Sequence, residues 1–151
     1  MRRRGRRALH AFFDSSALVP TLIDEPSSEL CKRILTSSEL RFSSRLTYVE
    51  TSAALAKAAR IGRITPAEQA SAWDAFEETW GYFLLVGMHD TVLRSAARFT
   101  QAHALRAYDA VQCASAFAVA DEHFCAVSGD RRLLKVWQAE GMRTIDVNRL
   151  R

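Results

Sequence analysis

The stretch LRAYDAVQCASAFAVADEHFCAVSGDRRLL, residues 105–134, decides the fold. Residues 107–121 are almost all small or apolar, which predicts a helix at the centre of the protein. Residues 124–127 form a continuous apolar run of strand length, and the pattern after them predicts a further helix over 130–139. A buried strand between two helices is typical of a parallel sheet that is covered on both faces.

The same alternation of strands and helices extends over the rest of the chain. Apolar runs predict strands over 8–13, 40–42, 83–86, 124–127 and 144–147. The helical pattern predicts helices from Ser16 to a break near Pro20 or Pro26, and over 27–37, 45–61, 66–81, 89–103, 107–121 and 130–139. Thr65, Pro66 and Glu68 together form a helix start signal, with an N-cap, a first-turn proline and a capping box. We therefore predict an α/β fold in which a central, mainly parallel β-sheet is flanked by helices on both faces.

The composition fits one globular domain, which we expect to span residues 8–151. The chain has 151 residues, of which 48% are hydrophobic and 25% are charged. This length can bury a real core, and this hydrophobic content argues against disorder. The net charge of +4 is compatible with an anionic partner but does not require one.

Much of the positive charge lies in a basic N-terminal arm over residues 1–7, which contains five arginines. One interpretation is a flexible arm that contacts nucleic acid phosphates. The alternative is an unstructured tail or an over-long start of the reading frame.

The sequence also predicts the compartment. The apolar stretch after the arm contains His10 and ends at Asp14, so it is too short for a secretion signal. No segment reaches the roughly 18 apolar residues that a membrane span needs. Cysteines 31, 113 and 125 are odd in number and lie in apolar patterns, which indicates buried free thiols. We expect a cytoplasmic protein without a membrane partner.

Four acidic residues each lie at the edge of an apolar run, where a carboxylate is costly to desolvate. They are Asp14, Glu50, Asp109 and Asp130, and we call them the acidic quartet. Asp14 directly follows the first predicted strand and Asp130 lies just beyond the strand at 124–127, where parallel sheets build their sites. Four converging carboxylates would hold a hard cation such as Mg²⁺ or Mn²⁺, which is the chemistry of phosphodiester cleavage.

Each acid also has a simpler interpretation. Asp14 is followed by two serines and could cap a helix, and Asp109 and Asp130 lie near predicted helix starts. Glu50 lies inside a helix and has no capping role, although Arg45 or Lys57 could pair with it. The prediction of a site therefore depends on the four acids as a set.

The sequences around the quartet resemble the four motifs of PIN-domain ribonucleases, specifically the VapC-like toxins of type II toxin–antitoxin modules. The matching segments are DSSALV from Asp14, ETSAAL from Glu50, LRAYDAVQCASA around Asp109 and VSGDRRL around Asp130. The resemblance covers about residues 8–148, and it implies that the quartet is catalytic and binds the metal. It also implies supporting hydroxyls at Ser16 and Ser128. The implied activity is metal-dependent endoribonuclease cleavage by a metal-activated water, with Mg²⁺ or Mn²⁺ as cofactor, leaving a 5′-phosphate and a 3′-hydroxyl.

The resemblance further implies partners. Such toxins are typically homodimers, and a cognate antitoxin inhibits each by inserting a segment over its active cleft. We expect the helices over 27–37 and 45–61 to provide interfaces. RNA would be contacted by Arg106, Arg131 and Arg132, for which charge balance of the quartet is the alternative role.

Three other interpretations remain. The first is a catalytically silent PIN-like module that binds RNA or protein. The second is another metal-dependent phosphatase or a DNA nuclease, but a haloacid-dehalogenase-type phosphatase needs a second Asp where Ser16 stands, and a structure-specific DNA nuclease usually needs more acids. The third is a set of scattered capping acids with a basic tail.

Overall fold

The computed structural model describes residues 8–149, so the basic arm over 1–7 lies outside the described residues. The described part contains five strands: β1 (His10–Phe13), β2 (Leu40–Ser44), β3 (Leu84–Val86), β4 (Phe124–Ser128) and β5 (Thr144–Asp146). Its helices are α1 (Ser15–Leu22), α2 (Ser28–Ser37), α3 (Leu46–Arg60), α4 (Pro66–Trp80), α5 (Asp90–His103), α6 (Ala107–Val119) and α7 (Arg131–Ala139).

All strand pairs in the sheet are parallel, and the strand order is β3-β2-β1-β4-β5. β1 lies in the middle, with Phe12 opposite Phe42 of β2 and Phe13 opposite Val127 of β4. Because the strands are parallel, their carboxyl ends meet at one edge, and the residues that follow β1 and β4 are neighbours there. The predicted α/β fold is confirmed.

Two hydrophobic clusters cover the two faces of the sheet. Successive strand residues point to opposite faces, and accordingly Phe12 packs with α5, α6 and α7, whereas Phe13 packs with α1, α2 and α4. Helix α6 lies in the core as predicted, with Ala110, Cys113 and Ala116 fully buried. The helices therefore flank the sheet on both faces.

Two local predictions concern helix ends. Thr65 and Glu68 form the expected capping box at the start of α4. The end of α1 falls between Pro20 and Pro26, the two prolines near which a break was predicted, because α1 continues through Pro20 and ends at Leu22. A proline has no N–H to bond to the carbonyl four residues earlier. In α1 this removes one backbone hydrogen bond, the one to the Ser16 carbonyl.

The cysteines and the hydropathy of the helices agree with the predictions. All three cysteines are buried free thiols, as expected. No helix within residues 8–149 is both long enough and apolar enough to cross a bilayer.

Candidate functional site

Asp14 lies at the carboxyl end of β1, where the chain turns from strand to helix. Its side chain caps α1 by accepting a hydrogen bond from the Ala17 amide at 3.2 Å. The capping role that the sequence suggested is therefore real, but it uses only part of the carboxylate's capacity. The side chain is only 4% exposed, and both of its oxygens have further partners.

Two serine hydroxyls hold the Asp14 carboxylate from two directions. Ser16 donates to Oδ1 at 2.7 Å, and Ser128, at the end of β4, donates to Oδ2 at 2.9 Å. The two hydroxyl oxygens are 3.1 Å apart. The Gly129 amide donates to the Ser16 hydroxyl at 2.7 Å. The ends of β1 and β4 are thus joined through these two serines, which are the serines that the sequence singled out.

Asp130 is positioned by the turn between β4 and α7. Its amide donates to the Ser128 hydroxyl at 2.9 Å, so Ser128 contacts two members of the acidic quartet. The Asp130 side chain caps α7 by accepting from the amides of Arg132 at 2.8 Å and Leu133 at 3.4 Å. Asp130 therefore resembles Asp14, because each caps a helix and also contacts Ser128.

Gly129 allows this turn to pass close to the end of the chain. A Cβ at this position would lie 2.9 Å from Nδ2 of Asn148 and 3.2 Å from Cγ2 of Val147. The Asn148 amide donates to the Gly129 carbonyl at 3.0 Å. The absence of a side chain at Gly129 is therefore what lets the segment after β5 support the turn that carries Asp130.

Glu50 lies on α3 and is held by an amide from α6. The side chain of Gln112 donates to the Glu50 carboxylate, and it also donates to the hydroxyl of Thr47 at 2.8 Å. Gln112 is 1% exposed and Thr47 is fully buried. The predicted alternatives, ion pairs of Glu50 with Arg45 or Lys57, do not form within residues 8–149.

Asp109 lies in the first turn of α6, one turn before Gln112 on the same helix. It is partly exposed, and two cations act on it. Burial and the charge of Asp130 raise the pKa of the Asp109 carboxyl, while the charges of Arg106 and Arg132 lower it. These influences put Asp109 within electrostatic reach of Asp130 and of both arginines, although within residues 8–149 neither arginine forms an ion pair with it. Arg131 is exposed in the first turn of α7.

The four carboxylates act on one another electrostatically. Burial raises the pKa of Asp14 to about 7, against the hydrogen bonds from its serines, and the charges of Glu50 and Asp130 raise it further. Burial also raises the pKa of Glu50, the hydrogen bond from Gln112 lowers it, and the charges of Asp109 and Asp130 raise it. Mutual repulsion of this kind requires that the groups lie close together. The hydrogen bonds thus join Asp14 to Asp130 through Ser128 and Glu50 to the helix of Asp109 through Gln112, and the charges of these two pairs act on one another.

The donor chemistry of this site fits a divalent cation. Four carboxylates and two hydroxyls provide the all-oxygen ligands that Mg²⁺ and Mn²⁺ prefer, and carboxylates that repel one another are stabilised by a cation among them. Within residues 8–149, no three Asp, Glu, His or Cys side chains already stand in an arrangement that could hold a metal ion. The site therefore matches a divalent cation in the type and the charge of its ligands.

Sequence analysis missed Gln112 and Thr47 as parts of the site. The available signal was a polar residue at 112 within an otherwise small and apolar helix, three residues after Asp109. Side chains three apart lie on one helix face, so Gln112 could have been assigned to the face that carries Asp109. The contact of Gln112 with α3 could not have been predicted, because it depends on how the two helices pack in the tertiary structure.

The PIN domain family model matches residues 11–137 of this chain. Ribonuclease VapC45 of Mycobacterium tuberculosis is 40% identical over 132 residues, which cover 87% of this chain and 92% of that protein.

Solved structures show the same fold at low sequence identity. The crystal structure of Mycobacterium tuberculosis VapC20, a toxin that cleaves the sarcin-ricin loop, has a TM-score of 0.66 and 16% identity, covering 90% of this chain and 97% of that one. A toxin–antitoxin complex from Klebsiella pneumoniae has a TM-score of 0.59 and 12% identity, covering 80% of this chain and 86% of that one. Taken with the family model and the 40% identical relative, the comparisons establish that the chain belongs to the PIN domain family and, within it, to the VapC-like proteins.

Proposed function

We propose that this protein is an endoribonuclease toxin that hydrolyses RNA phosphodiester bonds with the help of a bound Mg²⁺ or Mn²⁺. The observation that carries the proposal is the arrangement of the acidic quartet at the carboxyl edge of the sheet, where Ser128 contacts Asp14 and Asp130, Gln112 contacts Glu50, and the charges of Glu50, Asp109 and Asp130 raise the pKa of neighbouring carboxyls. The 40% identity to a protein named as a ribonuclease supports RNA as the substrate.

The residues that would hold the metal are the acidic quartet, with Ser16 and Ser128 in support. When bound, the metal supplies a water of lowered pKa and neutralises charge on the phosphate oxygens. In the proposed reaction the oxygen of the water attacks phosphorus, the bond from phosphorus to the 3′-oxygen breaks, and the 3′-oxygen takes up a proton. The products carry a 5′-phosphate and a 3′-hydroxyl.

The side chains around the quartet hold its carboxylates in place and favour their ionised form against the effect of burial. Hydrogen bonds from Ser16 and Ser128 lower the pKa of Asp14, and the amide of Gln112 does the same for Glu50. Such hydrogen bonds favour the charged form of a carboxylate against the cost of burial. The charged form is the one that binds a cation, so these neighbours determine how readily the carboxylates bind the metal.

The substrate must approach a negatively charged site, which requires positive charge nearby. Arg106 and Arg132 already act on Asp109 electrostatically, so they lie where a phosphate next to the scissile bond would pass. Arg131 is exposed on the same turn as Arg132. We assign phosphate contacts to these three arginines.

We further propose regulation by a cognate antitoxin and assembly as a homodimer, both in the cytoplasm. The structural likeness to a toxin–antitoxin complex supports an antitoxin, and an antitoxin arginine would compete with the metal for the carboxylates. Full nuclease activity of the purified complex would contradict this. Val49 on α3 is 64% exposed and Ile61 after it is 61% exposed, which supports an interface at this helix. The molar mass in solution, measured by light scattering, tests the dimer.

The decisive experiment is cleavage of total RNA by the purified, antitoxin-free protein. We expect cleavage with Mg²⁺ or Mn²⁺, none with EDTA, and none for Asp109→Asn. The matched control is Asp90→Asn, because Asp90 also lies in the first turn of a helix but is exposed and outside the site. Unchanged circular dichroism of both variants would show that the fold is intact. Metal-independent cleavage, or full activity of Asp109→Asn, would contradict the proposal.

A further inference from the structure

A cleft of about 470 Å³ opens between the end of α5 and α7, and Arg132, two residues after Asp130, lines it. Buried Leu105 and Val136 contribute an apolar surface to it, and Arg132 and Lys135 line it from α7. Its volume is within the range of pockets that hold small ligands. An apolar surface beside two cations suits a ligand that has both a flat or apolar part and a negative charge.

Two cations on the cleft are available to a ligand. Within residues 8–149, neither Arg132 nor Lys135 forms an ion pair, and both are exposed. They are three residues apart on α7, so their side chains lie on one face of the helix. His103, which also lines the cleft, is by contrast held by Glu140 at 2.7 Å. The charge available to a ligand therefore comes from Arg132 and Lys135.

The cleft is continuous with the acidic quartet through Arg132. The amide of Arg132 donates to the Asp130 side chain at 2.8 Å, and its guanidinium charge acts on Asp109. Lys135 lies one turn further along α7, away from the carboxylates. The free carboxylates repel an RNA strand whose reacting phosphate lies at the quartet. The next phosphates of that strand are attracted by positive charge along this path.

We propose that this cleft is a subsite for the RNA strand next to the cleaved bond. Lys135 and Arg132 contact backbone phosphates there, and the surface formed by Leu105 and Val136 receives a ribose or a base. The assignment rests on the proposed ribonuclease function and adds to it the direction in which the strand leaves the catalytic site. Lys135 is a binding residue that does not touch the reacting atoms.

The test is the steady-state kinetics of Lys135→Ala and Lys135→Glu on a short, fluorescently labelled, single-stranded RNA that the wild type cleaves. We expect KM to rise about 3- to 10-fold for Lys135→Ala and further for Lys135→Glu, with kcat unchanged. Loss of one phosphate contact also reduces the salt dependence of log affinity by about 0.7 for a single strand. Arg94→Ala and Arg94→Glu are matched controls, because Arg94 is an exposed cation on α5 that does not line the cleft.

A second variant tests the cleft without changing charge. Ala139 lines the cleft and is exposed, so Ala139→Trp fills the space without disturbing the core. We expect KM to rise for this variant, whereas Ala70→Trp, at an exposed position on α4, leaves KM unchanged. Thermal unfolding of each variant shows whether it is folded.

The outcomes separate the subsite from the function. If the wild type cleaves RNA and the Lys135 and Ala139 variants behave like their controls, the subsite is wrong and the ribonuclease function stands. If the wild type binds the RNA without cleaving it, fluorescence anisotropy of the same variants decides the subsite, by weaker binding of Lys135→Ala than of Arg94→Ala. If the wild type neither binds nor cleaves RNA, both proposals are wrong.

Discussion

The side-chain amide of Gln112 on α6 donates hydrogen bonds to both Glu50 and Thr47 on α3. This amide links the two helices that carry Glu50 and Asp109, and it lowers the pKa of the Glu50 carboxyl, which burial raises. Within the described residues, Oε1 of Gln112 has no hydrogen-bond partner. A buried amide that satisfies its donors but not its acceptor lowers stability, which indicates that its orientation serves the carboxylate.

Gln112→Ala is therefore expected to weaken metal binding more than it weakens the fold. Without the amide, Glu50 is protonated more readily at neutral pH, so the affinity for Mg²⁺ falls about 10- to 100-fold, as is typical for partners of metal ligands. Cleavage measured against Mg²⁺ concentration should shift to higher concentrations and recover at higher pH. Ser115→Ala is the control, since Ser115 is fully buried on the same helix and donates only to the Val111 carbonyl. Equal Mg²⁺ dependence of the two variants would rule out a positioning role for Gln112.

Whether the sequence could reveal a feature of this site depends on how far apart in the sequence the interacting residues are. Asp14 and Asp130 follow buried strands directly, so their place at the edge of a parallel sheet could be predicted from local patterns. The capping box at Thr65 was equally local and is confirmed. The Gln112 contact could not be predicted, because it joins residues 62 positions apart whose approach depends on helix packing. The end of α1 at Leu22, between Pro20 and Pro26, shows the limit of a local signal, since the buried Pro20 is accommodated inside the helix.

Asp14 makes the stability of the metal-free protein depend on pH. Its pKa is raised from 3.8 to about 7 in the folded protein, so the folded chain binds this proton more tightly than the unfolded chain. The stabilisation is fully present below pH 3.8 and is lost as pH rises through about 7. The loss is about 4 kcal/mol at most, since one pKa unit corresponds to about 1.4 kcal/mol.

Urea unfolding in EDTA should accordingly show a lower free energy of unfolding at pH 8 than at pH 5. Asp14→Asn has no proton to lose and should flatten this dependence. Addition of Mg²⁺ at pH 8 should restore stability to the wild type but not to Asp14→Asn, because only the ionised carboxylate binds a cation. Wild-type stability that rises between pH 5 and pH 8 in EDTA would contradict the assignment.

Ser128→Ala is expected to reduce cleavage about 10- to 100-fold. The hydroxyl donates to Asp14 at 2.9 Å and accepts from the Asp130 amide at 2.9 Å, so its loss affects two members of the quartet. The pKa of Asp14 should rise further, and the pH at which cleavage is half-maximal should rise with it. Ser43→Ala is the control: Ser43 is fully buried at the end of β2, but it donates to the Phe13 carbonyl and not to an acid. Unchanged activity of Ser128→Ala would remove this residue from the site.

Gly129→Ala should both destabilise the protein and reduce cleavage. The added Cβ would lie 2.9 Å from Nδ2 of the exposed Asn148 and 3.2 Å from Cγ2 of Val147, so either the Asn148 side chain gives up its hydrogen bond to the turn or the turn that carries Asp130 shifts. Such overpacking typically costs about 1–3 kcal/mol, measured here as the free energy of unfolding in urea. Gly81→Ala is the matched control, because the nearest atom to its added Cβ is the Glu78 carbonyl oxygen at an ordinary 3.7 Å. That substitution should leave both stability and cleavage close to the wild type.

A double substitution separates the clash made by the Cβ added at Gly129 from the other effects of replacing this glycine. Asn148→Ala alone should cost about 1 kcal/mol, since it removes the 3.0 Å hydrogen bond from Asn148 to the Gly129 carbonyl. In the background of Gly129→Ala the same change also removes the crowding atom, so the double variant should be more stable than the sum of the two costs predicts. Cleavage should recover in parallel if the turn returns to its place. Additive costs would mean that Val147, whose Cγ2 lies 3.2 Å from the added Cβ, determines the strain instead.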